Sequence, residues 1–194
     1  MIIDRRKQVV LAASKSFALF GYKATTMDQI AKIANVGKGT IYTFFANKEE
    51  LFDEILQQVI QEMRHIVEGE IQEDKSFFDN LYRVLDRLLD YRSHHELIIQ
   101  LSHEVRDFGT QKANEGLSKI ESMILHYIEQ EIRLGIAKNE LRECDPAVTS
   151  FVMLKLYVAL TADWRKTHEP LEKEAIKDYF RLYFIEGLSP KGLV

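Results

Sequence analysis

Apolar residues recur every three or four positions along most of the 194-residue chain, which is the spacing of helices with one buried face. The only three prolines stand at positions 146, 170 and 190, so no proline interrupts a helix in the first three quarters of the chain. Strand signals are weak, because no Asn-Gly or Asp-Gly hairpin turn occurs. The pattern therefore predicts an all-α fold.

The most specific pattern lies between Thr25 and Leu51. Thr26 and Gln29 have the spacing of a capping box, and a short apolar stripe follows them. The residues at 35–37, Asn-Val-Gly, tolerate a sharp turn, and a second short helix is predicted over about residues 38–45. One side of that helix carries Ile41, Phe44 and Phe45, and the other carries Gly39, Thr40, Tyr42 and Thr43. This pattern is typical of a helix-turn-helix that presents its second helix to a DNA major groove.

A helix is also predicted on each side of this motif. The first covers about residues 4–20, ends at Gly21, and is expected to supply Phe17 and Phe20 as the floor for the motif. The next opens with Asn47 as its N-cap and is long enough to leave the DNA-binding unit. We therefore predict a DNA-binding domain over residues 1–47 and a second helical domain over residues 48–194.

Charge is distributed unevenly along the chain. The net charge is −4, but residues 1–48 hold eight basic and two acidic side chains, a net charge of +6, which leaves −10 for the remainder. A basic end on an acidic body favours contact between that end and phosphates.

Other chemistry is weakly signalled. Cys144 is the only cysteine, which argues against disulfides and Cys-based zinc sites. His94, His95 and His103 lie near glutamates, but no two of them have the i, i+4 spacing of helical zinc ligands, so neither a metal nor another cofactor is expected. No signal peptide and no uncharged apolar stretch of membrane-spanning length is present, and a cytoplasmic protein without a membrane partner is expected.

The first fifty residues resemble the TetR/AcrR family of transcriptional regulators. The resemblance is carried by Gly21-Tyr22, Thr25-Thr26, Ile30-Ala31, the run from Ala34 to Tyr42, Phe45, and the run from Asn47 to Leu51. It implies a homodimer of about nine helices per chain, with DNA bound by the first three and a small-molecule pocket among the later ones. The chain departs from the common family pattern at Gly37, Thr43 and Phe44.

By matching position, the resemblance assigns DNA contacts to seven residues. Thr26, Tyr42 and Lys48 would contact phosphate, and Lys38, Gly39, Thr40 and Thr43 would face bases or backbone. Because Gly39 has no side chain, the helix could approach the sugar-phosphate wall closely. Lys38 could reach guanine acceptors or phosphate, and the threonine methyl groups could touch thymine methyls.

A ligand site is predicted in the second domain, because its helices hold more aromatic and long aliphatic side chains than a thin core needs. The candidate ligand-binding residues are Phe78, Tyr82, Gln100, His103, Arg106, Tyr127, Phe151, Tyr157 and Trp164. Arg106 would favour an effector with an anionic head group, such as a carboxylate or an acyl thioester. The competing interpretation is that most of these residues are ordinary core or interface.

The last helix is apolar on more than one face, which favours association of two chains. The candidate interface residues are Phe151, Leu160, Ile176, Tyr179, Phe180, Tyr183 and Phe184. A two-fold dimer would place two recognition helices about 34–36 Å apart, one turn of DNA, and this predicts a palindromic operator.

These features together predict a ligand-responsive DNA-binding regulator, a repressor that a small hydrophobic effector of acyl or other anionic type releases from its operator. The alternatives are a helical enzyme or ligand-binding protein without DNA function, and a structural interaction protein. No Ser/His/Asp order, carboxylate pair or metal motif favours the enzyme, and the basic first fifty residues argue against a purely structural role.

Overall fold

The computed structural model describes residues 4–188, without the side chains of residues 92–95 and 188. In this part of the chain every regular element is a helix, as predicted. The helices are α1 (Arg5–Ala24), α2 (Met27–Ile33), α3 (Lys38–Tyr42), α4 (Lys48–Glu70), α5 (Phe77–Asp90), α6 (Arg92–Phe108), α7 (Gln111–Ala137), α8 (Pro146–Val158) and α9 (Lys173–Phe180). A π-helical turn, Ala159–Asp163, and a 3₁₀ turn, Trp164–Lys166, continue α8. Another π-helical turn, Arg181–Ile185, and the short helix Glu186–Leu188 continue α9.

Side-chain caps begin the helices where the sequence predicts them. The Thr26 hydroxyl accepts a hydrogen bond from the Gln29 N–H (3.3 Å), and the Gln29 side chain accepts one from the Thr26 N–H (2.8 Å). Asn47 accepts from the Glu50 N–H at 2.8 Å, ahead of α4. Asp145 caps α8, whose first residue is Pro146, a position where a missing N–H costs nothing.

By its internal contacts the chain divides into two compact units. Unit 1 joins Met1–Glu62 to Arg92–Ile120, and unit 2 joins Met63–Tyr91 to Glu121–Val194. Helices α4 and α7 each begin in unit 1 and end in unit 2. The compact unit that contains the helix-turn-helix is therefore larger than residues 1–47, and a domain boundary at residue 47 stays a prediction.

Unit 1 has a core of aliphatic and aromatic side chains from α1 to α4, α6 and α7. Phe17 and Phe52 are fully buried and meet edge to face, with ring centroids 5.1 Å apart, and Tyr22 packs against both rings. Phe17 thus forms part of the floor, as expected. Phe20 does not, because its side chain is half exposed.

Gly21 interrupts α1 one turn before its end. Its φ of 78° and ψ of 175° are not helical, and this combination is open almost only to glycine. The kink brings the backbone against the buried carboxylate of Glu104 on α6, which accepts a hydrogen bond from the Lys23 N–H at 2.9 Å. A Cβ atom at position 21 would lie 2.3 Å from Oε2 of Glu104. Gly21 is therefore needed for its backbone conformation and for this close approach.

The core of unit 2 corrects part of the predicted dimer interface. Ile176, Phe180 and Phe184 are buried in the protomer's own core, where they pack with Phe77, Ile132 and Met153. These three residues therefore cannot be offered to a partner chain, and they are removed from the set of interface candidates. The sequence pattern failed here because a helix with two apolar faces does not show which face packs inward.

One helix, Pro146–Lys166, is long and apolar enough to cross a membrane by length and composition alone. It includes Lys155, which forms an ion pair with Glu121 of α7, and Met153 and Leu154, which are buried in unit 2. Its apolar character is thus explained in part by packing inside the protein.

Candidate nucleic-acid interface and ligand cavity

The predicted helix-turn-helix is formed by α2 and α3, with small differences in the turn. Asn35 adopts the left-handed conformation, with a φ of 52°, whereas Gly37 has an ordinary φ of −67° and serves as the N-cap of α3. The turn therefore needs only one residue with positive φ, and asparagine supplies it. Helix α3 ends at Tyr42, earlier than predicted, and Phe45 is buried in a turn that follows it.

The outer side of α3 carries the side chains predicted to meet DNA. Gly39 is exposed, and an added Cβ there would have no neighbour within 4 Å. Tyr42 is 45% exposed, and Ile41 beneath it is fully buried. The Thr43 hydroxyl donates to the Thr40 carbonyl at 2.6 Å, so its side-chain hydrogen bond is already formed within the helix end. This surface is exposed, as contact with a DNA groove requires.

Lys38 is held by an ion pair with Asp28 of α2. Its ammonium lies 2.9 Å from one carboxylate oxygen and donates to the other at 3.1 Å, and both side chains are more than half exposed. Hydrogen bonding to Asp28, followed by charge attraction, raises the pKa of Lys38. On contact with DNA, the ammonium group of Lys38 would leave Asp28 and interact instead with a phosphate or a base.

Lys48, the predicted phosphate contact at the start of α4, is placed against the end of α1. Its ammonium donates to the carbonyls of Tyr22 (2.9 Å) and Thr25 (3.0 Å) and lies 4.3 Å from the centroid of the Tyr22 ring. A cation suits these positions because the last carbonyls of a helix carry partial negative charge. Two hydrogen bonds thus give Lys48 a local role in joining α1 to α4, while its phosphate contact stays a prediction.

Tyr22 and Glu49 strengthen the same junction. The Tyr22 hydroxyl donates to the Glu49 carboxylate at 2.7 Å. Burial, and then this hydrogen bond, raise the pKa of Tyr22, while the same hydrogen bond lowers the pKa of the Glu49 carboxyl. The neutral phenol and the carboxylate are therefore the stable forms, and Glu49 remains anionic beside the helix-turn-helix.

Unit 2 contains an apolar cavity of about 440 Å³. Residues from the second half of α4, from α5, α7 and α8, and Phe180 of α9 line it. Most of the lining atoms are carbon, from side chains such as Met63, Val67, Leu81, Val84, Ile128 and Met153. A cavity of this size and character is typical of a small-molecule site.

The structure places only two of the nine predicted ligand residues in this lining, Tyr127 and Tyr157. Phe78 and Tyr82 lie on α5 but outside the lining, and Phe151 and Trp164 are exposed. Gln100, His103 and Arg106 lie on α6 in unit 1. Sequence reasoning missed the contribution of α4, because its apolar residues looked like an ordinary core face and nothing in the pattern indicated a gap behind them.

Few polar groups reach the cavity. The Asn80 side chain is bonded twice to the backbone of Gln72, at 2.9 and 3.0 Å. Burial, and then the charge of Glu131 one turn away on α7, raise the pKa of Tyr127. Burial raises the pKa of Glu131, although the neighbouring Tyr127 hydroxyl and the charge of Lys138 act in the opposite direction. Burial also raises the pKa of Tyr157, which keeps its phenol neutral.

Metal ligands are not clustered anywhere among the described residues: no group of three or more His, Cys, Asp or Glu could hold an ion there. His103 lies on α6, and the His94 and His95 side chains lie outside the described part of the chain.

Exposed apolar side chains are concentrated on the last two helices of unit 2. On α8 they are Val148, Phe151, Val152 and Val158, and on α9 and its continuation they are Tyr179, Leu182 and Tyr183. We call these seven residues the apolar stripes. Of the predicted interface residues, Phe151, Tyr179 and Tyr183 belong to the stripes, while Leu160 is half-buried.

Comparisons with known proteins agree with this architecture. A family model described as bacterial regulatory proteins of the tetR family matches residues 9–55, which contain the helix-turn-helix. The uncharacterized HTH-type transcriptional regulator YhgD of Bacillus subtilis (strain 168) is 49% identical over 97% of this chain and 99% of its own length. The fatty acid metabolism regulator protein of the same organism is 26% identical over 70% of each chain.

Solved structures show the same fold. The fatty acid degradation regulator FadR from Bacillus halodurans superposes with a TM-score of 0.78 at 19% identity, covering 94% of this chain and 95% of its own. The relative that is similar over nearly the full length is named as an HTH-type regulator, and the family model matches the helix-turn-helix. Both findings agree with the resemblance seen in the sequence. The chain therefore belongs to the tetR family of bacterial transcriptional regulators.

Proposed function

We propose that this protein is a repressor that binds a palindromic operator as a dimer and is released by a small hydrophobic effector. Regulators of this family bind DNA, act as dimers and are not enzymes. The observation that carries the proposal is the 440 Å³ apolar cavity in the same chain as an exposed recognition helix. Some relatives are named as repressors, among them the HTH-type transcriptional repressor SCO4008 of Streptomyces coelicolor (strain A3(2)).

The effector would act through the two helices that run from one unit into the other. Helix α4 begins with Lys48, which holds the end of α1, and its second half lines the cavity. A ligand that binds more tightly to one orientation of α4 increases the fraction of molecules in that orientation, and the recognition helix moves with it. The ligand can release the operator only through this difference in its affinity for the two orientations.

The class of effector follows from the cavity rather than from Arg106, which lies in unit 1 and does not line it. The lining favours a molecule with an alkyl or aryl body. Two similar proteins are named for fatty acid metabolism or degradation, and these names also favour a chain of this kind. Native mass spectrometry of the purified protein tests the proposal. We expect a mass above that of the polypeptide, because a small molecule should co-purify with it. Loss of this additional mass on denaturation would show that the molecule is bound non-covalently.

Operator binding is expected to depend steeply on salt. Lys38→Gln should weaken binding to a DNA fragment from upstream of the gene and reduce the slope of log Kd against log salt by about one. Asp28→Asn should strengthen binding, because it frees the Lys38 ammonium and removes a negative charge. Fluorescence anisotropy with labelled DNA measures both effects.

Lys75→Gln is the matched control, because it removes the same charge from a loop in unit 2. A Kd that does not change between about 50 and 200 mM salt would contradict DNA binding through phosphates. Equal effects of Lys38→Gln and Lys75→Gln would show that net charge, and not α3, determines the affinity.

The dimer is expected to form through the apolar stripes. Phe151→Glu combined with Tyr183→Glu should convert the dimer into a 22.6 kDa monomer, because both side chains are about half exposed and a buried unpaired carboxylate is costly. Light scattering after size exclusion measures the mass. Leu11→Glu is the control, since Leu11 is 54% exposed on α1 outside the stripes, and this variant should remain dimeric. A double variant that stays dimeric would place the interface elsewhere.

A further inference from the structure

We propose that the cavity of unit 2 binds an apolar molecule whose single polar group is a protonated amine, held by the carboxylate of Glu131. This inference rests on the proposed function, because it specifies the effector of the same cavity. It goes beyond that function by naming the head group and the residue that selects it.

Glu131 is the one acidic side chain in the cavity lining. It is half-buried on α7, one helical turn from the neutral phenol of Tyr127. Within the described residues no Lys, Arg or His forms an ion pair with it. Among these residues the carboxylate therefore has no cation at ion-pair distance, and a bound ammonium group would supply one.

The electrostatic surroundings of Glu131 also favour a positively charged ligand. Glu68 of α4 adds a second negative charge, which contributes to the raised pKa of Tyr127. Lys138 acts on Glu131 through space but is exposed. Burial raises the pKa of Glu131, so a cation bound beside it would stabilise the charged carboxylate. Of the other polar side chains in the lining, the Asn80 amide is already bonded to Gln72, and His126 and Gln130 are exposed.

Arg64 presents the strongest competing case. It lines the cavity, forms no ion pair among the described residues, and could attract a carboxylate. However, Arg64 is exposed, so water screens its charge, whereas the half-buried Glu131 acts in a less polar medium. At equal distance, a charge pair near a protein surface interacts about four times more strongly than one in bulk water.

Three ligands with the same ten-carbon chain separate these possibilities: decylamine, decanol and decanoate. Decylamine is protonated at neutral pH, as a lysine side chain is. Each ligand is titrated against the full-length protein in the absence of DNA, and displacement of the fluorescent apolar probe N-phenylnaphthylamine gives its Kd. We expect decylamine to bind at least tenfold more tightly than either decanol or decanoate.

Glu131→Gln keeps the shape of the side chain and removes its charge. This variant should bind decylamine at least tenfold more weakly and decanol with the same affinity. An unchanged affinity for decanol would show that the cavity is still folded. Glu129→Gln is the matched control, because Glu129 lies on the same helix and is paired with Arg133 outside the cavity lining. Arg64→Gln should leave decylamine binding unchanged or slightly stronger.

Two results would overturn this inference while leaving the proposed function intact. One is that decanoate binds most tightly and loses its affinity in Arg64→Gln. The other is that all three ligands bind equally and Glu131→Gln has no effect. If none of the three ligands displaces the probe, the apolar effector cavity itself is refuted, and the proposed function is overturned together with this inference.

Discussion

Gly21→Ala is expected to destabilise the protein by at least about 2 kcal/mol, the largest loss that a single added methyl group should cause in this chain. Residues other than glycine pay about 1–3 kcal/mol to adopt backbone conformations of this kind. The new Cβ would also lie 2.3 Å from the Glu104 carboxylate, which would have to move and weaken its bond to the Lys23 N–H. Urea unfolding at a fixed protomer concentration measures the change in the free energy of unfolding.

Gly69→Ala is the matched control for this prediction. Gly69 lies near the end of α4 with no neighbour within 4 Å of an added Cβ, so alanine should be neutral or stabilising by up to about 1 kcal/mol. Adding Glu104→Ala to Gly21→Ala removes the steric contact but not the backbone strain. Comparison of the double variant with the single variants therefore separates the two contributions to the free energy of unfolding. If Gly21→Ala unfolds at the same urea concentration as Gly69→Ala, the kink in α1 does not require glycine.

Gly39→Leu is expected to weaken operator binding at least tenfold without loss of stability. Leucine is a better helix former than glycine, and the side chain would extend into open space on the outer side of α3. In the proposed complex that space is occupied by the sugar-phosphate wall, so the recognition helix could no longer approach it. A tenfold rise in Kd corresponds to about 1.4 kcal/mol of lost binding free energy.

The control for Gly39→Leu lies at the same position. Gly39→Ala adds a single methyl group and should give a smaller loss of affinity with the same or greater stability. Anisotropy with labelled operator and thermal unfolding of each variant separate the two effects. If Gly39→Leu binds the operator as tightly as the unaltered protein, the backbone of α3 does not lie close to DNA, and the seven predicted contact residues need reassignment.

The sequence was most informative where local chemistry decides the structure. The capping box of Thr26 and Gln29, the N-cap Asn47 and the Asp145-Pro146 helix start were all predicted, because each depends on side chains within three residues of one another. The helix-turn-helix was predicted for the same reason, and the family match on residues 9–55 confirms it.

Properties that depend on distant packing were predicted less well. Gln100, His103 and Arg106 looked like polar anchors for a ligand, but which unit a helix joins depends on contacts between segments far apart in sequence. Ile176, Phe180 and Phe184 were placed at an interface because the apolar pattern of α9 does not distinguish its own core from a partner. Glu131 was not selected at all, since a single glutamate in a helix is ordinary until a cavity is found beside it.

The division of the chain into units affects how hybrid regulators should be built from it. A graft that transfers only residues 1–47 to another regulator leaves behind Lys48 and Glu49, which hold the end of α1, and Glu104, which accepts from Lys23. The transplanted segment would then depend on the recipient's own side chains at all three positions. A hybrid that exchanges Met1–Glu62 together with Arg92–Ile120 keeps these contacts within one donor. The module to exchange is thus discontinuous in sequence, although the helix-turn-helix within it is continuous.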